Sequence, residues 1–208
     1  MQCAPEELSE NGYVYLDKME HTNILPFISL YLKKKTTVVL LYNTCLGIGL
    51  GCLIFWCWYC YNNFDLSIGQ CLNYVSFGIA LSFTFVPLHE FIHVLAYKWQ
   101  GAKHTAYDVN LKRFYFLAIA DKFVANKKEF IIVALAPLGI ISVVLILCLL
   151  FTNSLWTCTI LAALLTHGLL SSGDIGLISY FQWHKNMQVV TYDDKAGQMT
   201  YFYGKSIQ

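Results

Sequence analysis

The sequence predicts a mainly α-helical, multi-pass membrane protein: four transmembrane helices and a small cytoplasmic β element. Three observations predict it. Hydrophobic residues make up 57% of the 208 and charged residues only 13%, about half the charged share of an average soluble domain. Four apolar stretches each reach the ~20 residues that a helix needs to cross a bilayer. All 14 Lys and Arg residues fall on one side of those four spans, as a charge-sorted topology requires.

Residues 1–36 read as a cytoplasmic N-terminal segment. They lack the short apolar core of a cleavable signal peptide, so the first span is expected to serve as an uncleaved anchor. Within them, Ile24 to Leu32 is apolar enough to lie along the membrane surface or to pack against the other cytoplasmic segments. The spans cover about 37–61, 71–99, 130–151 and 155–183. Lys18 lies in the N-terminal segment, and Lys33, Lys34 and Lys35 precede the first span. Lys98, Lys103, Lys112, Arg113, Lys122, Lys127 and Lys128 lie at or between the ends of the second and third. Lys185, Lys195 and Lys205 follow the fourth. The two loops on the other side, around 62–70 and 152–154, carry none. Both termini are therefore expected in the cytoplasm, with the chain in the cell membrane.

Inside the first span, Gly47 and Gly51 form a GxxxG pair that permits close helix contact. Cys57 and Cys60 form a CxxC, read as small apolar residues because no second pair has metal-site spacing. Cys60 and Cys71 flank an outer loop, where a disulfide is open. The polar segment 101–129 contains an alternating run from Ala106 to Lys112, which predicts a short strand. Phe114 to Ala118 extends it with strand-favouring aromatics. The tail, 184–208, predicts a β-hairpin whose arms cover 187–192 and 199–203. The net charge of +1 gives no basis for nucleic-acid binding.

The second span contains His89-Glu90-Phe91-Ile92-His93. Residues four apart share a helix face, so both imidazoles can reach one metal ion, with the glutamate as general base. Ionisable groups are costly in lipid and are by default functional there. A catalytic zinc needs a third protein ligand. The extended HExxHxxGxxH form is excluded, because Ala96 and Trp99 stand where it needs glycine and histidine. Glu129 and Asp108 lie in the polar cytoplasmic segment. Asp174 is the only acid in the fourth span, at nearly the same depth as His89 by helical rise. His167, seven residues earlier on the same face, is the alternative ligand or an outer hydrogen-bond partner. Gly173 and Gly176 would admit a close neighbouring backbone. Pro87 and Pro137 would bend their helices near this depth.

These features resemble the intramembrane zinc metalloproteases of the site-2 protease type, and more narrowly a group of small zincin peptidases related to them. The likeness rests on His89 to His93 in the second span, Ala136-Pro137 in the third and Gly173-Asp174 in the fourth. It covers roughly residues 70 to 185. It implies zinc held by His89, His93 and Asp174, with Glu90 as base. Where the larger family often has an Asn-Pro-Asp-Gly type of sequence, this chain has Ser172-Gly173-Asp174-Ile175, and no PDZ-like insertion is present.

The expected activity is peptide-bond hydrolysis in the cytoplasmic half of the bilayer, on a peptide or membrane-protein substrate. An extended substrate would add to the cytoplasmic strand, with Val109 and Leu111 as contacts. The alternatives are a non-catalytic zinc-binding accessory protein and a metal transporter. Against transport, no polar path of intramembrane acids continues to the outer face.

Overall fold

The computed structural model describes residues 4–64, 67–110 and 115–207. It is mostly helical, with two small antiparallel sheets. Strand β1 (Val14–Glu20) and helix α1 (Ile24–Leu32) precede the long helix α2 (Thr37–Asn63). Helices α3 (Ile68–Thr84) and α4 (Val86–Trp99) lead into β2 (Thr105–Asn110) and β3 (Tyr115–Ala120). A short strand, β4 (Ala125–Asn126), opens α5 (Lys127–Leu149). Helices α6 (Ser154–Leu170) and α7 (Ser172–Trp183) are followed by β5 (Met187–Asp194) and β6 (Met199–Ser206).

Side chains fix where the helices start. Asn126 accepts from the N–H groups of Lys128 and Glu129 at 2.9 and 3.1 Å, while Glu129 reaches back to the Asn126 N–H at 2.8 Å. This reciprocal cap satisfies donors that a helix N-terminus otherwise leaves open. Ser67 and Gln70 do the same for α3, and Asn153 caps α6.

Among the described residues, Thr37–Asn63, Ile68–Trp99 and Lys127–Leu149 are long and apolar enough to cross a membrane. A fourth span exists only if α6 and α7 count together, and that pair is bent by 46°. The stretch 155–183 is therefore two helices meeting at Ser171 rather than one straight span. The Ser171 hydroxyl donates back to the His167 carbonyl at 3.0 Å, a contact that bends helices. Span two is also interrupted, at Phe85. Pro87, in the first turn of α4, has no N–H to offer the turn before it.

Helices α3 and α6 touch through Gly78. A Cβ there would lie 2.2 Å from the Thr159 carbonyl oxygen and 2.9 Å from the Ala163 nitrogen, both backbone atoms of α6. Ser82, one turn on, donates to the Ala163 carbonyl at 3.0 Å. Gly176 likewise admits α1 onto α7, since a Cβ would lie 2.8 Å from Ile28 Cγ2. Helix α1 thus buries Ile28 and Tyr31 against the protein. Gly47, Gly51 and Gly173 meet no such neighbour. Cys60, Cys71 and Cys158 pack together, and every described cysteine is a free thiol.

The larger sheet has the order β1-β6-β5-β4. The tail hairpin is β5–β6, and its longer arms take in Asp193 and Asp194. Strand β1 pairs along β6; nothing in the irregular Val14–Glu20 pattern marks it as a strand. The segment between spans two and three is a hairpin, β2–β3, and not a single strand over 106–118. Leu111 falls outside the described residues. Phe130 and Phe181 stack at 4.8 Å, and Tyr180 meets Phe202 at 4.4 Å. These rings join α5, α7 and β6 into one core beside the bundle.

Candidate metal centre

Helix α4 carries His89, Glu90 and His93, each less than a tenth exposed. The ligand atoms of these three residues lie within 4.8 Å of one another. The break at Ser171 puts Asp174 in the first turn of α7, where the helix N-terminus favours a negative charge. One Asp174 oxygen lies 3.2 Å from His89 Nε2 and the other 3.3 Å from His93 Nε2. The two Nε2 atoms are 3.1 Å apart.

Outer contacts settle which ring nitrogens face inward. His93 Nδ1 donates to the Val133 carbonyl at 3.0 Å, because a carbonyl can only accept. A neutral His93 therefore turns a bare Nε2 to the centre. Val133 is available for a reason that lies in the sequence. Residue 137 is proline inside α5, so the N–H that would bond the carbonyl four residues earlier is missing. Pro137 thus creates the acceptor that orients His93. His89 presents Nε2 to Asp174, and its Nδ1 lies 3.2 Å from His167 Nε2. His167 sits on the far edge of His89 and is almost fully buried.

Two imidazole nitrogens and a carboxylate converge at 3.1–3.3 Å, a donor set of the kind that holds a divalent cation. Zinc bonds of about 2.0–2.1 Å arranged tetrahedrally separate ligand atoms by about 3.3 Å. The residues present fit that ion.

Glu90 stands with the two histidines and has one oxygen engaged by the backbone. Its Oε2 accepts the Ala118 N–H of β3 at 2.7 Å. The two backbone groups, from Ala118 and Val133, have no side-chain signature. Only Pro137, four residues beyond Val133, hinted at the second.

A cavity of about 680 Å³ opens onto His89, Glu90, His93, His167 and Asp174. Its other walls are mainly apolar, with Ile24 and Ile28 of α1, Val109 and Phe116 of the hairpin, and Leu177 of α7. Val109 is thus on the cavity wall.

Residues 82–188, more than half of the chain, match the model of a family described as "Putative zincin peptidase". The chain belongs to this zincin peptidase family. No curated protein and no solved structure matches it. The matched stretch takes in His89, Glu90, His93, Pro137, His167 and Asp174. Zincin membership implies zinc and metallopeptidase chemistry, in keeping with the His-Glu-His group.

One test follows for the zincin's Pro137. Pro137→Ala restores an N–H that competes with His93 for the Val133 carbonyl. Zinc affinity, measured by chelator competition, is expected to fall about tenfold or more, while thermal stability holds or rises. Unchanged affinity would show that the Val133 contact does not orient His93.

Proposed function

We propose that this chain is a zinc-dependent, membrane-embedded endopeptidase of the site-2 protease type. It hydrolyses peptide bonds in the cytoplasmic half of the cell membrane, with four spans and both termini in the cytoplasm. The observation that carries the reading is the convergence of His89, His93 and Asp174 at 3.1–3.3 Å with Glu90 alongside. His89, His93 and Asp174 are the zinc ligands, Glu90 is the base, and His167 is the outer partner of His89.

Bound there, zinc supplies Lewis-acid polarisation and acidifies water towards neutral pH. Glu90 takes the proton of the attacking water and returns it to the leaving nitrogen. The Ala118 N–H, on one Glu90 oxygen, leaves the other for that exchange. The buried setting keeps bulk water from Glu90 and the ligands. A substrate in helical form must unwind locally to expose its carbonyl. An extended substrate segment then lies along the β2–β3 hairpin, whose Val109, Phe116 and Ala118 line the cavity. The apolar walls favour bulky apolar side chains around the cleaved bond, as a membrane-protein substrate offers.

The test is metal analysis and peptide cleavage on the same purified, detergent-solubilised protein. The wild type is expected to hold about one zinc per chain, to lose cleavage on chelation and to regain it with zinc. Asp174→Ala is expected to lose most of the zinc. A wild type without zinc, or cleavage that survives chelation, would overturn the reading; full zinc in Asp174→Ala would remove Asp174 from the ligand set.

A further inference from the structure

His21 is wholly buried between β1 and α1, outside the segment that matches the family. A buried polar ring at that position needs partners, and those it has tie three separate parts of the chain together. Its Nε2 lies 3.1 Å from Thr200 Oγ1 on β6. The Thr200 hydroxyl has one proton, given to Asp193 Oδ1 on β5 at 2.8 Å. Thr200 therefore accepts from His21 Nε2–H. The other ring nitrogen, Nδ1, lies 3.4 Å from Asp108 Oδ2 on β2, and neither of these two buried atoms has a hydrogen-bond partner among the described residues. Asp193 completes the set, since its second oxygen accepts the Ala120 N–H of β3 at 3.2 Å.

The network thus reaches both strands of the hairpin from the larger sheet, β3 by the hydrogen bond from Ala120 and β2 by the close approach of Asp108 to the His21 ring. Ala118 is two residues from Ala120, so both N–H groups leave the same edge of β3. One goes to the anchor, Asp193, and the other to Glu90 at 2.7 Å. Asp108 also stands opposite Leu117, the residue before Ala118. A shift of the hairpin would move the donor off the carboxylate.

We infer that His21, acting with Asp108, Thr200 and Asp193, is a positioning residue that clamps the β2–β3 hairpin and so holds the Ala118 N–H on Glu90. The role of Glu90 as base rests on the proposed function; the clamp itself does not. The clamp leaves the zinc ligands alone, because they stand on α4 and α7 and not on the hairpin.

The experiment uses the full chain in detergent, as wild type, His21→Ala and Thr200→Val. Thr200→Val keeps the shape and removes only the link between His21 and Asp193; Thr200→Ser restores it. Three readouts are taken: zinc per chain, amide exchange across β3 by mass spectrometry, and kcat and KM for peptide cleavage. The clamp predicts unchanged zinc and about tenfold faster exchange at β3 in both variants. It also predicts kcat lowered by about 10- to 100-fold with little change in KM, and wild-type values in Thr200→Ser. Unchanged exchange in folded Thr200→Val would overturn it. So would zinc lost in parallel with exchange, which would mean that the network supports the whole fold. Because exchange requires no catalysis, faster exchange in a protein that cleaves nothing would sink the peptidase reading and keep the clamp.

Discussion

Replacing Glu90 with glutamine is expected to lower peptide cleavage by about 10²- to 10⁴-fold while zinc content stays at the wild-type level. Glutamine has nearly the shape of glutamate and can still accept the Ala118 N–H through its carbonyl oxygen. It cannot take a proton from water. In the proposed ligand set His89, His93 and Asp174 hold the metal and Glu90 does not, so metal and catalysis should separate. Metal analysis and cleavage kinetics on one preparation provide the check. Retained cleavage would remove Glu90 as base. Loss of cleavage together with zinc would make it part of the metal's support instead. A zinc-binding accessory protein would show no cleavage to lose.

The second large effect lies far from the chemistry. Gly78→Ala is expected to destabilise the protein by about 2 kcal/mol or more, in the range of overpacked cores. The new methyl would meet Thr159 O at 2.2 Å, Ala162 Cβ at 2.7 Å and Ala163 N at 2.9 Å. Two of these are helix backbone atoms and the third, Ala162 Cβ, is fixed directly to that backbone, so no side chain can swing away and α3 and α6 must part. Parting them breaks the Ser82 bond to Ala163 and the Thr159 bond to Tyr74. It also displaces α6, which carries His167 against His89. Thermal unfolding in detergent should show a lower midpoint, with weaker zinc retention. Gly47→Ala is the control, because a Cβ at Gly47 meets nothing within 4 Å. Equal midpoints for the two variants would refute the packing argument.

Much of the site could be read before any coordinates. HExxH spacing puts two imidazoles on one helix face, and the scarcity of acids in the spans singles out Asp174. Length and apolarity were enough to mark the long helices. What stayed hidden was of three kinds. Backbone groups have no letter of their own, so the Ala118 N–H and the Val133 carbonyl were missed. Pairing between distant segments leaves little local pattern, and β1 finds β6 only in three dimensions. Local backbone reversals were underestimated: alternation over 106–112, followed by the strand-favouring aromatics of 114–118, suggested one strand where the chain forms two. The break at Ser171 belongs with these. Ser171-Ser172-Gly173 is a poor helical run, but the apolar stretch around it suggested continuity.

The larger sheet sets a condition on how the protein is made. Among the described strands, β1 is synthesised first and must wait for β6, the last of them, before it has its partner. The long apolar helices and the residues of the candidate metal centre are synthesised in between. The hairpin that steadies Glu90 is moored to this sheet, so its mooring is finished only when translation has delivered β6. For the proposed peptidase, this order would delay a fully moored hairpin until the whole described chain has been synthesised.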